Sequence, residues 1–139
     1  MKISYNWLKE YVGKLPKPEK MADLLTIHSF EVGGIEKSGE DYLLDIDVLP
    51  NRAHDCLSYI GVARECSALI NSKFEARNPK PFEDRKIKAG DFIRVEVHDK
   101  DTCPRYTARV IADIKIGPSP KWMQERLKSM GQKPINNVV

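Results

Sequence analysis

The chain has 139 residues, 41% hydrophobic and 31% charged, with a net charge of +3. That supplies apolar material for one or two small cores. It gives too little excess positive charge to mark a nucleic-acid binder by itself, because acidic residues nearly match basic ones. No run approaches the ~20 apolar residues of a membrane span, and no secretory leader follows Lys2. The widely spaced Cys56, Cys66 and Cys103 suit a reducing cytosol better than a disulfide framework.

Taken in chain order, Ser4 caps a predicted first helix reaching about Val12, with Trp7, Leu8 and Tyr11 as its apolar stripe and Gly13 as its stop. A second helix begins near Pro18, which suits a first helical turn, and Met21, Leu24, Leu25 and His28 follow its period. Glu31–Glu36 and Tyr42–Val48 read as two strands, joined by the short glycine-containing loop Lys37–Glu40 as an antiparallel hairpin. Pro50 and Asn51 stop the second strand, and Asp55 and Ser58 are both good N-caps. A third helix covers about Leu57 to Asn71, with Val62, Ala63, Cys66, Leu69 and Ile70 on one face. Three helices around a two-stranded hairpin make one domain over residues 1–72. Residues 73–91, with Pro79, Pro81 and many charges, read as a linker. Over 92–139 the reading is an incomplete α+β segment. Phe92–Val97 and Tyr106–Ile116 alternate as strands, and a fourth helix starts at Ser119 or Pro120 and carries Trp122, Met123, Leu127 and Met130. Gly131 closes that helix and Pro134 prevents its continuation. The predicted class is α+β.

Asp45 and Asp47 share one strand face with Asp41 nearby, a spacing that a magnesium site could use; a solvated strand edge is the preferred reading. His54, Cys56 and Cys66 lack the close pairs of a zinc site, and Cys66 falls on the apolar helix face, so no metal ligand is assigned. Asn51, Arg52 and Asp55 crowd a strand-to-helix turn. Their functional reading is contact with RNA or another subunit. Their structural reading, the favoured one, is that Asn51 and Asp55 bond backbone amides while Arg52 pairs with a carboxylate. Lys121, Arg126, Lys128 and Lys133 make the fourth-helix region basic, a minority case for RNA phosphate, with Trp122 favoured as core packing. No P-loop, G-x-S-x-G or H-E-x-x-H motif occurs, so no catalytic or cofactor-binding residue is named.

Pro50 to Cys66 reads Pro-Asn-Arg-Ala-His-Asp-Cys-Leu-Ser-Tyr-Ile-Gly-Val-Ala-Arg-Glu-Cys. With Met1–Val12, His28–Glu36, Cys103–Val110, Ser119–Trp122 and Gly131–Val139, it resembles the bacterial-type phenylalanyl-tRNA synthetase beta subunit family, matched in order along nearly the whole chain. The resemblance implies a winged-helix-like N-terminal domain, called a DNA-binding fold in the synthetases, followed by the start of an editing region. It implies a structural, assembly and tRNA-contact role beside an alpha subunit, in a cytoplasmic heterotetramer that charges tRNA(Phe) with ATP and magnesium. Read from their own charge and placement, Asn51, Arg52, Lys121, Arg126, Lys128 and Lys133 are the candidate RNA or subunit contacts. The family's usual OB-fold tRNA-binding insertion after the strand near Glu36 is replaced here by Lys37–Glu40, and the family's editing residues match no position of this chain. The expectation is an N-terminal piece of a variant subunit or a truncated reading frame, inactive alone and weak in tRNA binding. Two other readings are a stand-alone winged-helix-like nucleic-acid-binding module and a ligand-free interaction scaffold.

Overall fold

The computed structural model describes residues 1–76 and 82–139, so the linker prolines Pro79 and Pro81 lie outside the described residues. The chain divides into two units, one built from Met1–Asn78 with Gly117–Val139 and the other from Pro79–Ile116. The class is α+β. The described residues form five α-helices and one antiparallel sheet of three strands, ordered β1-β3-β2.

In the first unit, β1 (Lys2–Ser4) leads directly into α1 (Tyr5–Leu8). Ser4 ends the strand and caps the helix, its hydroxyl accepting a hydrogen bond from the Trp7 N–H at 3.1 Å. The predicted first helix is therefore real but short. The residues before it pair as a strand instead, Lys2, Ile3 and Ser4 lying opposite Asp45, Leu44 and Leu43, and the helix ends at Leu8. At the far end, Val12 bridges Phe74 rather than continuing the helix. Helix α2 (Pro18–His28) starts with proline at its first position and buries Met21, Ala22 and Leu25. Each large side chain on that face contributes about 1.5–3 kcal/mol of apolar burial. The periodic but exposed His28 closes the helix.

Strands β2 (Val32–Ser38) and β3 (Asp41–Ile46) form the expected antiparallel hairpin, tighter than its four-residue loop suggested. Ser38 pairs with Asp41, leaving Gly39 and Glu40 as the turn, and Gly39 takes φ 60°. Glycine at the first central position with positive φ is what a primed hairpin turn requires. Gly33 is the extra residue of a bulge, since Val32 pairs with Ile46 and Gly34 with Asp45. Behind β3 come a 3₁₀ turn (Pro50–Arg52), α3 (Ala53–Cys56) and α4 (Tyr59–Leu69). Of the two candidate caps it is Ser58 that serves, accepting from the Gly61 N–H at 3.0 Å. Ile3, Leu8, Val12, Met21, Leu25, Leu44, Ile46, Val62 and Cys66 are fully buried in one core. Helix α5 (Lys121–Ser129) belongs to this unit.

The second unit is held by local turns. Asp84 Oδ1 accepts from the Lys86 N–H at 2.9 Å, Asp99 Oδ1 accepts from the Asp101 and Thr102 N–H groups at 3.0 and 3.2 Å, and Ala89–Asp91 make one 3₁₀ turn. The strands expected at Phe92–Val97 and Tyr106–Ile116 are not formed. Alternation marks which positions could face a sheet, but a strand needs a neighbour to take up its N–H and C=O groups. Among the described residues neither segment is paired as a strand, and Phe92, Val95, Tyr106, Ile111 and Ile116 are 44–76% exposed.

Candidate functional site

The turn after β3 carries a charge network centred on Arg52. The 3₁₀ turn and α3 place Asp55 three residues beyond Arg52, so the guanidinium folds back onto it. Arg52 Nε donates to both Asp55 oxygens at 3.1 Å and Nη2 to Oδ2 at 2.8 Å. The same Nη2 lies 3.0 Å from Cys56 Sγ and 3.0 Å from Glu65 Oε2 on α4. The other Glu65 oxygen accepts from the Ser29 hydroxyl at 2.6 Å, just past the end of α2. The Phe30 ring centroid sits 5.3 Å from the guanidinium carbon.

The electrostatics follow from these contacts. Hydrogen bonds from Arg52 hold the Asp55 carboxyl down at about 2, while Arg52 itself is raised by Asp55 and Glu65. Glu65 is lowered, first by the Ser29 hydroxyl and then by Arg52. Burial pushes the Cys56 thiol up, which makes it a poor nucleophile. The network is a fixed ionic tie between the turn and α4, and through Ser29 to α2. Arg52 therefore pairs with carboxylates, as its structural reading has it. Asp55 differs from that reading: it accepts from a guanidinium rather than a backbone amide, because Arg52 lies within reach on the same turn of chain.

Arg126 forms a second tie. Its guanidinium pairs with the Glu10 carboxylate and stands over Trp7 at 4.6 Å and Trp122 at 5.5 Å. Trp7 in turn stacks on Tyr59 at 3.9 Å, whose hydroxyl accepts the Ser4 N–H at 2.8 Å. Trp122 is 57% exposed and serves as one wall for Arg126, not as a buried core residue. Helix α5 uses its cation rather than its tryptophan to dock. Asn51, Lys121, Lys128 and Lys133 are exposed. The structure thus ties down Arg52 and Arg126 with separate partners and leaves the other four candidates at the surface.

Sequence reasoning missed the roles of Ser29, Glu65 and Glu10, and placed Asp41 only beside Asp45 and Asp47, because none stands near its partner along the chain. Asp41 clasps the β1–α1 junction: one oxygen accepts from the Ser4 hydroxyl at 2.5 Å and the other from the Asn6 N–H at 2.8 Å. Asp45 receives the N-terminal ammonium at 3.3 Å. Among the described residues no three His, Cys, Asp or Glu side chains gather as a metal site, and no helix is long and apolar enough to cross a membrane.

The carboxy-terminal part, residues 102–139, matches the family model described as the B3/4 domain. The whole chain, the short β2–β3 turn included, is 37% identical over 139 residues to the phenylalanine–tRNA ligase beta subunit of Rhodopirellula baltica, covering 20% of that protein. By sequence, the chain belongs with the phenylalanine–tRNA ligase beta subunits. The beta subunit of Carboxydothermus hydrogenoformans is 41% identical over 72% of this chain and 12% of its own length. That of Syntrophus aciditrophicus is 40% identical over 90% of this chain and 14% of its own length. The chain therefore spans at most a fifth of these beta subunits.

Proposed function

We propose that this chain is a structural and assembly module of a phenylalanine–tRNA ligase, standing beside an alpha subunit in a cytoplasmic complex that charges tRNA(Phe). The observation that carries the reading is the match along the whole chain to a phenylalanine–tRNA ligase beta subunit. In this reading the sheet with α2 and α4 is a winged-helix-like scaffold, and the short Gly39–Glu40 turn stands where relatives of the usual bacterial type carry an OB fold. ATP and magnesium belong to the parent reaction. Binding and positioning are the roles this reading assigns to the chain itself.

The test is reconstitution with the alpha subunit of the same ligase. The chain alone is expected to give no ATP-dependent charging of tRNA(Phe), and to co-purify with the alpha subunit. Charging without an alpha subunit would overturn the reading, and so would failure to associate with it. Tight, salt-resistant binding of unrelated nucleic acid would favour a stand-alone binding module instead.

A further inference from the structure

A cleft of about 510 Å³ opens on the first unit between the end of α1 and the segment that follows α4. Lys9, Lys14 and Lys73 line it, together with Gly13, Asn71 and Ser72. Two carboxylates also reach it, and each is already engaged: Glu10 by Arg126, and Glu75 by Lys73 at 2.8 Å. Three lysines line the cleft against these two carboxylates, Lys73 held by Glu75 and Lys9 donating to Asn6 Oδ1 at 3.1 Å. The lining therefore carries one cation in excess.

The walls are held rigidly. The Glu75 N–H donates to the Tyr11 carbonyl at 2.8 Å, Val12 bridges Phe74, and the Tyr11 and Phe74 rings stack at 6.5 Å. Asn71 adopts φ 49°, turning the chain back out of α4 to form the second wall. Ammonium groups neutralise phosphates, while amide and hydroxyl groups can bond phosphate oxygens or a ribose 2′-hydroxyl.

We propose that this cleft is a binding site for the phosphate backbone of RNA, with Lys9, Lys14 and Lys73 as its cationic contacts. The site deepens the ligase reading by placing RNA contact here and not on the exposed lysines of α5. Gly13 supplies a selective probe. A Cβ added there meets nothing within 4 Å, and its φ lies outside the left-handed range. Gly13→Glu therefore puts a carboxylate into the cleft of a protein that still folds, which its circular dichroism would verify.

The experiment measures fluorescence anisotropy of labelled tRNA(Phe) with the full chain over a salt series. Gly13→Glu is expected to weaken binding about fivefold, the effect of one unit charge close to another at the surface. The triple variant Lys9→Gln, Lys14→Gln, Lys73→Gln is expected to flatten the slope of log affinity against log salt by roughly 2, at about 0.7 per single-strand contact. Lys121→Gln with Lys128→Gln should leave both unchanged. The proposal is overturned if the chain does not bind the RNA. It is equally overturned if Gly13→Glu binds like the parent, or if the α5 pair carries the loss. Inorganic tripolyphosphate is the second probe, and saturable binding of it without RNA binding would assign the cleft to small phosphates. Because alpha-subunit association is read separately, loss of the cleft proposal leaves the ligase reading standing.

Discussion

Arg52 and Glu65 meet at 3.0 Å across a sequence separation of thirteen residues, joining the turn after β3 to α4. The opposite Glu65 oxygen is held by Ser29, so one carboxylate ties three parts of the first unit. Arg52→Lys is expected to lower the urea midpoint without changing the m-value. A single ammonium cannot reproduce the fork that reaches Asp55 and Glu65 together. An unchanged midpoint would show that the network is a surface ornament.

The same network sets an acid limit. Asp55 is lowered from an ordinary 3.8 to about 2, chiefly by Arg52, and Glu65 is lowered as well. A carboxyl with a depressed folded pKa adds stability above its unfolded value and loses it as pH falls through the folded one. Stability should therefore decline from pH 4 toward pH 2. The difference between the parent and Arg52→Met should narrow over the same interval, as measured by thermal unfolding across pH.

Gly61 reverses the usual preference of helices for alanine. In a solvated helix Gly→Ala gains up to about 1 kcal/mol. Here an added Cβ would lie 2.0 Å from the Asp55 carbonyl oxygen and 2.7 Å from the Cys56 Cα. Both neighbours are backbone, so α3 and α4 must separate. Gly61→Ala is expected to cost about 1–3 kcal/mol in chemical denaturation; a stabilised variant would contradict this packing.

Helix α5 is anchored through Arg126 to Glu10 and to the Trp7 and Trp122 rings. It has no fully buried residue of its own. Arg126→Gln should raise amide exchange across Lys121–Ser129 while leaving Pro18–His28 protected. Equal exchange in variant and parent would mean that other contacts hold the helix.

The three thiols should react in a fixed order. Cys103 is partly exposed, whereas Cys56 and Cys66 are buried, and burial pushes Cys66 up to about 12. Titration with an aromatic disulfide at neutral pH should label Cys103 first and Cys66 only on unfolding. Early labelling of Cys66 would show that the core opens readily.

What the sequence determined by itself was local. Pro18 and the Met21–Leu25 spacing specify α2, Ser4 and Ser58 specify caps, and Gly39 specifies the hairpin turn; each signal lies within a few residues of the structure it produces. Tertiary structure decided the rest. Strand β1 exists only because β3 offers an edge to Lys2–Ser4, while similar alternation in Phe92–Val97 and Tyr106–Ile116 forms no strand. The candidate site shows the same division. Arg52 was legible as a cation beside Asp55, but Glu65 and Ser29 reach it only after α2 and α4 pack. Arg126 could not be matched to Glu10, because 116 residues separate two groups that only the folded chain brings together. Caps and turns are determined by short-range sterics and hydrogen bonding, whereas strand pairing and ion pairs depend on which surfaces the finished core brings into reach.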